Sequence, residues 1–293
     1  MKIKDLFQEA KTANPSQAST LNDLKMHMPK LKTAVTAFNQ GGRLFRGLSY
    51  ADADILHKPM MMSGDRVSAN TENYCTLFVD NHPSWRPYPP RSASMICSTS
   101  SGTARGYASG GLYVVLVEND PLVGVCPEHD FWVSFQRLHD LGSHNMDVSD
   151  LNGSIKMIME KLVGVTKWSP KNYQELQSGF NMIDNENSLS FPDLPPMPPV
   201  FSDIENAGRT YAAEACVELL KFQPGTTIMD KLEYLLDPKS NEFNLYKLSS
   251  MPERMHDREV WTQAPAWFIN TAMLPTDYRD NPTFDLGKWI AEQ

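Results

Sequence analysis

An acidic triplet, Asp257-Arg258-Glu259, stands immediately before an apolar and aromatic segment in MHDREVWTQAPAWFIN. Residues two apart on an extended chain face the same side, so Asp257 and Glu259 are predicted to share a face and Arg258 to take the other. Two carboxylates in this arrangement could form a catalytic pair. The alternative interpretation is a solvated strand end with no chemical role.

Two earlier segments carry further polar side chains beside strand-like patterns. In RLFRGLSY, Arg46 follows an aromatic residue and precedes Gly47. In SASMICSTSSGTARGYA, the run Ser98-Thr99-Ser100 separates an apolar strand pattern from a short helical one. Arginine suits a phosphate ligand because its planar guanidinium donates two parallel hydrogen bonds. The alternatives are a surface arginine and ordinary helix capping by serine or threonine.

Hydrophobic periodicity predicts the elements that position these three segments. A helix is expected in TLNDLKMHMPKLKTAVTAF, with a break or kink near Pro29. Strands are expected in RLFRGLSY, SASMIC, GLYVVLVE, DFWVSF, EVW and AWFI, and further helices in GSIKMIMEKLVG, GRTYAAEACVELLKF and TTIMDKLEYLL. The proline-rich stretches over 79–91 and 191–201 are expected to be extended.

The order of these elements, which is helices, strands, helices and strands again, predicts an α+β fold. Hydrophobic residues make up 41% of the chain and charged residues 21%, which is enough apolar surface for a packed core. We expect a single domain over 1–293, with N-terminal helices in 1–42 and a large helical insertion over 140–250 within the core.

Composition and motif content argue against several classes of function. The formal net charge of −8 argues against a wide nucleic-acid footprint, which needs a basic face. No apolar run approaches the roughly 20 residues of a membrane span, and the first residues lack the apolar stretch of a signal peptide. The four cysteines form no CxxC pair and no HExxH occurs, so we expect buried thiols, no metal and a cytoplasmic location.

Together, and in this order, the three segments resemble the R-S-E class of the ADP-ribosyltransferase superfamily. The residues that carry the resemblance are Arg46 in FRGL, Ser98-Thr99-Ser100 in ICSTS, and Glu259 in DREVW. Ala104 and Tyr107, in the short helix after the serine motif, also look like the family. The arrangement is similar to small phage-encoded transferase-like proteins as well. The resemblance implies an ADP-ribosyltransferase-like split β-sheet core.

The resemblance also implies NAD as the substrate, cleaved at the nicotinamide–ribose bond through an oxocarbenium-like transition state. Glu259 is then expected to stabilise the ribose charge, with Ser98 orienting it. Arg46 is expected to hold the pyrophosphate, and Gly47 to let the backbone approach the nicotinamide closely.

Four further residues have expected roles by the same resemblance. Thr99 and Ser100 belong to the NAD site, and Tyr107 supports the nicotinamide by packing, unless it is only a core aromatic residue. Asp257 is expected to position or deprotonate the acceptor nucleophile. Aspartate is one methylene shorter than the glutamate or glutamine usual at this place, which leaves the acceptor open.

Several alternatives remain at the level of the sequence. Glu128 and Asp130 in VCPEHDFW are also two apart and also precede aromatic residues, so they compete with Glu259 as the catalytic acid. Arg86 and Arg91 in the proline-rich segment could contact phosphates, but solvated arginines on a loop are the favoured interpretation. His256 is expected to be a surface residue.

The sequence therefore predicts a mono-ADP-ribosyltransferase that transfers ADP-ribose from NAD to a macromolecular acceptor, with a protein acceptor favoured over a nucleic acid. No membrane partner is expected. If the chain is phage-encoded, the host cytosol and association with the virion are the expected locations. The alternatives are an NAD glycohydrolase and a non-catalytic structural or binding protein.

Overall fold

The described residues form a mixed α+β structure. A computed structural model describes residues 17–49, 53–60, 73–141, 146–190, 216, 219 and 226–293. Within them, the strands are β1 (Gln17–Ser19), β2 (Phe45–Leu48), β3 (Ile55–Lys58), β4 (Met95–Ser98), β5 (Gly111–Val117), β6 (Leu122–Val125), β7 (Asn244–Lys247), β8 (Glu259–Thr262) and β9 (Ala266–Asn270). The α-helices are α1 (Leu21–Asn39), α2 (Tyr74–Asn81), α3 (Ser101–Arg105), α4 (Val148–Lys161), α5 (Tyr173–Ser190), α6 (Ile228–Leu236) and α7 (Leu286–Glu292).

The chain divides into two compact units. The first comprises Met1–Ala69, Pro87–Asp130 and Phe243–Gln293, and it contains all the described strands. The second comprises Asn70–Arg86 and Phe131–Glu242, and its described regular elements are helical. The helical region thus begins earlier in the chain than the sequence predicts. It also ends earlier, because β7 lies inside the stretch expected to be helical.

The strands of the first unit form one antiparallel sheet, in the order β1-β3-β9-β5-β2-β4-β8-β6-β7 across the described residues. Most neighbours pair over several residues, for example β2 with β5 and β4 with β8. The pairing of β2 with β4 is different, because it consists of Phe45 opposite Ser98 alone. The sheet is therefore two halves joined at one residue pair, which we call the seam.

Helix α1 begins at a capping box, in which Thr20 and Asp23 exchange side-chain and backbone hydrogen bonds. Leu24, Leu31 and Val35 are buried on one face, as the helical spacing predicts. The predicted break is wrong, because the helix continues through Pro29. Proline costs about 3 kcal/mol inside a helix, and burial of several large side chains on the core-facing side offsets that cost.

Two predictions for the second unit are also wrong. The expected strand in DFWVSF is a 3-10 turn at Phe131–Val133. Its aromatic residues pack at helical spacing, and the rings of Phe131 and Phe135 meet edge to face at 5.0 Å. The stretch expected to be extended over 79–91 contains the end of α2 and a 3-10 turn at Pro83–Trp85. Proline fits the first position of such a turn because no amide is needed there.

The remaining sequence predictions are either confirmed or lie outside the described residues. Helices α4 and α6 and strands β2, β4, β5, β8 and β9 occur where the patterns predict them. The predicted helix over 208–222 lies outside the described residues except for Cys216 and Leu219, which are helical and buried. The proline-rich connector over 191–201 also lies outside them.

The four cysteines are buried and form no disulfide in the described residues. Burial raises the pKa of the Cys97 and Cys216 thiols to about 12. No described helix combines the length and apolar character that crossing a membrane requires. Across the same residues, no group of three or more histidine, cysteine, aspartate and glutamate side chains is arranged to hold a metal ion.

Gly47 on β2 is required by the helix that packs over it. A Cβ at this position would overlap the carbonyl oxygen of Ala104 and backbone atoms of Tyr107 and Ala108. We expect Gly47→Ala to lower the free energy of unfolding by about 1–3 kcal/mol, because α3 must move away from the sheet. Urea unfolding of the purified variant measures this.

Gly102 provides the matched control, because it lies in α3 itself. A Cβ there meets only Ser100 Oγ, at 3.5 Å, which is ordinary contact. Alanine in place of a helical glycine is therefore expected to stabilise the protein by about 0.5–1 kcal/mol. Equal destabilisation by both substitutions would contradict the packing role of Gly47.

Candidate functional site

The three motif strands β2, β4 and β8 are neighbours in the sheet. Phe45 lies opposite Ser98, and Ser98 lies opposite Glu259, so the three residues form one row across the strands. Directly opposed residues of antiparallel strands have Cβ atoms about 4.5–5.5 Å apart on the same face. The register therefore brings Ser98 and Glu259 together, as the sequence predicts. Arg46 is the residue after Phe45 on β2, one position along the strand from this row.

Glu259 is buried and forms an ion pair with Arg91. Arg91 Nη1 lies 2.6 Å from Glu259 Oε1, and the two side chains are 6% and 5% exposed. The thiol of Cys126 also approaches this oxygen, at 3.9 Å. The expectation that Arg91 is a solvated loop residue is wrong. Its guanidinium is the group that holds the carboxylate.

The proline-rich segment before β4 carries Arg91 to this position. Trp261, two residues after Glu259 and on the same face of β8, donates from Nε1 to the carbonyl of Pro89 at 2.9 Å. Tyr88 stacks on Trp261 with ring centroids 6.0 Å apart, and the Arg91 guanidinium carbon lies 5.8 Å from the Trp261 ring centroid. The segment therefore lies across the face of β8, and Arg91 runs over the indole to reach the carboxylate.

The side chains of the serine motif make local hydrogen bonds. Ser98 Oγ accepts from the Ser100 amide at 3.0 Å, and Ser100 Oγ accepts from the Thr103 amide at 3.2 Å. Ser100 is thus the N-cap of α3, which is the alternative interpretation considered from the sequence. Thr99 Oγ1 accepts from the Arg258 amide at 2.8 Å and so fixes the segment that leads into β8.

Asp257 does not lie on an extended strand. Its φ is +44°, a left-handed conformation that aspartate and asparagine tolerate better than most residues. The predicted shared face with Glu259 is therefore wrong, because alternation applies only to extended backbone. The Asp257 carboxylate instead accepts a hydrogen bond from Thr103 Oγ1 at 2.5 Å, which ties it to α3.

The competing acids Glu128 and Asp130 lie beside the same end of β8. The carbonyl of Glu128 accepts from the Glu259 amide at 3.2 Å. The Glu128 side chain is 46% exposed and pairs with Arg258 at 3.7 Å, so it differs sharply from the buried Glu259. Asp130 is buried.

Tyr107 follows α3 and faces a group of carboxylates. Burial raises the pKa of its phenol to about 12, and the negative charges of Asp130, Glu259 and Asp257 add to the rise. A tyrosine hydroxyl is protonated at neutral pH and can act as a hydrogen-bond donor, and the raised pKa extends this to more alkaline pH. Sequence reasoning found Tyr107 but expected only packing from it.

Arg46 lies at the seam. Backbone groups along a strand point alternately to its two neighbours. The carbonyls of Leu44 and Leu48 accept hydrogen bonds from β5 and from the residue before it. Those of Phe45 and Gly47 therefore face β4.

In a continued ladder, Gly47 would pair with Ile96, two residues before Ser98. The Ile96 carbonyl instead accepts a hydrogen bond from the guanidinium of Arg46. The half-buried arginine thus takes the place of the next rung of the ladder. The main chain of Gly47 therefore lies on the β4 side of β2, beside this hydrogen bond.

Two residues weighed from the sequence lie at the surface. His256 is exposed, as expected, and Arg86 is exposed and belongs to the second unit. Comparison of the chain with protein-family models, curated proteins and solved structures gives no match.

Proposed function

We propose that the protein is a mono-ADP-ribosyltransferase that cleaves NAD at the nicotinamide–ribose bond and transfers ADP-ribose to a protein acceptor. The observation that carries the proposal is the row of Ser98 and Glu259 on adjacent strands, with Arg46 beside it at the seam of a split sheet. A split sheet and this set of three residues are what the resemblance implies. The ADP-ribosyltransferase-like fold is part of the same proposal.

In the proposed reaction, the bond between ribose C1′ and the nicotinamide nitrogen breaks, and its electron pair leaves with nicotinamide. The ribose then carries positive charge, which a carboxylate stabilises best in a water-poor site. Glu259 is the buried carboxylate in the row. Arg91 and Cys126 both contact its Oε1, and a ribose hydroxyl would donate to the same carboxylate group.

Other groups of the site have proposed roles in binding. The main chain of Gly47, on the β4 side of β2, would contact the nicotinamide carboxamide. Arg46 would contact the diphosphate of NAD by leaving or sharing the Ile96 carbonyl. Tyr107, whose phenol lies near Glu259 and Asp257, would donate a hydrogen bond close to the reacting ribose.

The direct test is to incubate the purified protein with NAD labelled in the adenylate part, in buffer and in a cell lysate. Transfer of label to protein in the lysate, with nicotinamide released in equal amount, supports the proposal. Label on nucleic acid would identify the other acceptor class. An absence of nicotinamide release together with an absence of NAD binding supports a non-catalytic structural protein, with or without association with a virion.

A second candidate, an NAD glycohydrolase, is favoured by the hydrogen bond of Asp257 to Thr103. A carboxylate already held by α3 is less available to position an acceptor, and water can then take the acceptor's place. Free ADP-ribose without macromolecular label, in both buffer and lysate, would support this candidate.

The role of Asp257 can be separated from its hydrogen bond to Thr103. We expect Asp257→Asn to lower transfer to the acceptor by about 10²-fold or more while leaving NAD hydrolysis within a few-fold, because general-base help is lost. Asparagine tolerates the positive φ, so the backbone is retained.

Thr103→Val is the matched variant, because it removes the hydrogen bond and keeps the carboxylate. It is expected to retain most of the transfer activity. If both variants lose transfer equally, Asp257 acts by holding α3 and not as a base.

A further inference from the structure

Three arginines gather around Tyr278, in a chain whose net charge is −8. Arg43 precedes β2, Arg105 is the last residue of α3, and Arg279 follows Tyr278 directly. Burial raises the pKa of the Tyr278 phenol, and the positive charges of all three arginines oppose that rise. The guanidinium carbon of Arg279 lies 5.5 Å from the centroid of the Tyr278 ring, and Arg43 and Arg105 lie near enough for their charges to act on the phenol.

Two polar atoms in this cluster are buried without a partner. Tyr278 is 3% exposed, and its ring packs against Phe38 and Phe284 in the core. Its hydroxyl and Arg43 Nε are buried and have no hydrogen-bond partner among the described residues. Buried donors are nearly always satisfied in folded proteins, and an anion bound among these arginines would give both atoms an acceptor.

The arginines are held in place by other contacts. Arg43 Nη1 donates to the carbonyl of Arg279 at 2.8 Å, and its guanidinium carbon lies 5.0 Å from the centroid of the Phe38 ring. Arg279 Nη1 donates to Ser101 Oγ at 2.8 Å. These contacts use some donors of each guanidinium and leave others, because arginine has five N–H groups. Asp280 is the acidic group that faces Arg43.

We infer that Arg43, Arg105, Tyr278 and Arg279 form a binding site for a phosphate group of a nucleotide. The charges of three arginines against one aspartate leave an excess that suits a phosphate dianion. The Tyr278 hydroxyl and Arg43 Nε would donate to its oxygens in charge-assisted hydrogen bonds. The inference goes beyond the proposed function, because phosphate binding requires neither NAD cleavage nor Glu259.

The site flanks α3 through Ser101, whereas Asp257 holds the same helix through Thr103. A phosphate bound here would therefore hold α3 by a contact separate from the one that Asp257 makes. The phosphate group could belong to the dinucleotide itself or to a separate phosphate-bearing effector. One experiment distinguishes the two.

The test is titration calorimetry at low salt with inorganic phosphate, ADP-ribose and adenosine as separate ligands. The protein variants are wild type, Tyr278→Phe, Arg279→Gln and the control Lys288→Gln, whose lysine is 73% exposed and pairs with Glu292. We expect wild type and Lys288→Gln to bind phosphate-bearing ligands and not adenosine. Tyr278→Phe is expected to weaken that binding about tenfold, and Arg279→Gln by at least as much.

Tyr278→Phe also has an expected effect on the melting temperature of the protein without ligand. Removing a buried hydroxyl that lacks a partner is expected to leave the melting temperature unchanged or to raise it, so that weaker binding cannot be ascribed to misfolding. Inorganic phosphate that binds and that competes with ADP-ribose identifies the dinucleotide as the source. Inorganic phosphate that binds without competing identifies a separate effector.

The inference is overturned if wild type binds neither inorganic phosphate nor ADP-ribose. It is equally overturned if Tyr278→Phe and Arg279→Gln bind both ligands as tightly as wild type does. A protein that binds phosphate here but releases no nicotinamide from NAD would sustain this site and reject the proposed function, so the two failures are distinguishable.

Discussion

Nicotinamide release is expected to fall about 10²–10³-fold in Glu259→Gln, which is the range lost when one group that stabilises transition-state charge is removed. Glutamine keeps the shape of the side chain and one carbonyl acceptor but cannot balance a positive ribose. The loss should appear in kcat more than in KM, because the interaction strengthens as the glycosidic bond breaks. Single-turnover release of nicotinamide from NAD measures it directly.

Glu128→Gln is the matched control for this experiment. It makes the same chemical change on a neighbouring carboxylate that is half exposed and pairs with Arg258. Activity within a few-fold of wild type is expected. If Glu128→Gln abolishes release while Glu259→Gln does not, the acid has been misassigned although the reaction class stands. If wild type releases as little nicotinamide as Glu259→Gln does, the proposed reaction does not occur.

The sequence predicts the strands of the candidate site well, for a physical reason. MICS and EVWT are apolar runs that end or begin at a polar residue, and a buried strand tolerates a polar residue best at its end. The three motifs in this order carry the resemblance that assigns Arg46, Ser98 and Glu259 to the site. These residues lie on neighbouring strands of the sheet. The local sequence pattern is sufficient to predict these strands, because each motif lies at or within one strand.

The parts that the sequence did not predict depend on register between distant segments. Arg91 lies in a proline-rich stretch that resembles a solvated loop, and only the pairing of β4 with β8 makes Glu259 its partner. The seam likewise depends on where the pairing of β2 with β4 ends. The conformation of Asp257 is not predictable from the triplet, because nothing in it signals a positive φ.

The pair of Arg91 and Glu259 is expected to dominate the stability of the site. Arg91→Met should destabilise the first unit by about 3–5 kcal/mol, because it leaves a buried carboxylate without its partner. Hydrogen exchange of the amides in β4 and β8 measures this in the first unit by itself, whatever the second unit does. Arg258→Met is the control, since the exposed pair with Glu128 contributes at most about 1 kcal/mol.

The double variant Arg91→Met with Glu259→Gln tests whether the cost arises from the unpaired charge. Removing both charges eliminates the buried ion, so the double variant should be more stable than Arg91→Met alone, with a coupling energy of about 1–3 kcal/mol. If the two single effects simply add, Arg91 stabilises the fold by its packing over Trp261 and not by its charge. If they couple, the guanidinium is the group that allows a carboxylate to be buried in the row with Ser98. The activity of Glu259→Gln must then be compared with that of the double variant. Only this comparison separates the loss of the carboxylate's role in the reaction from the effect of leaving the Arg91 charge unpaired.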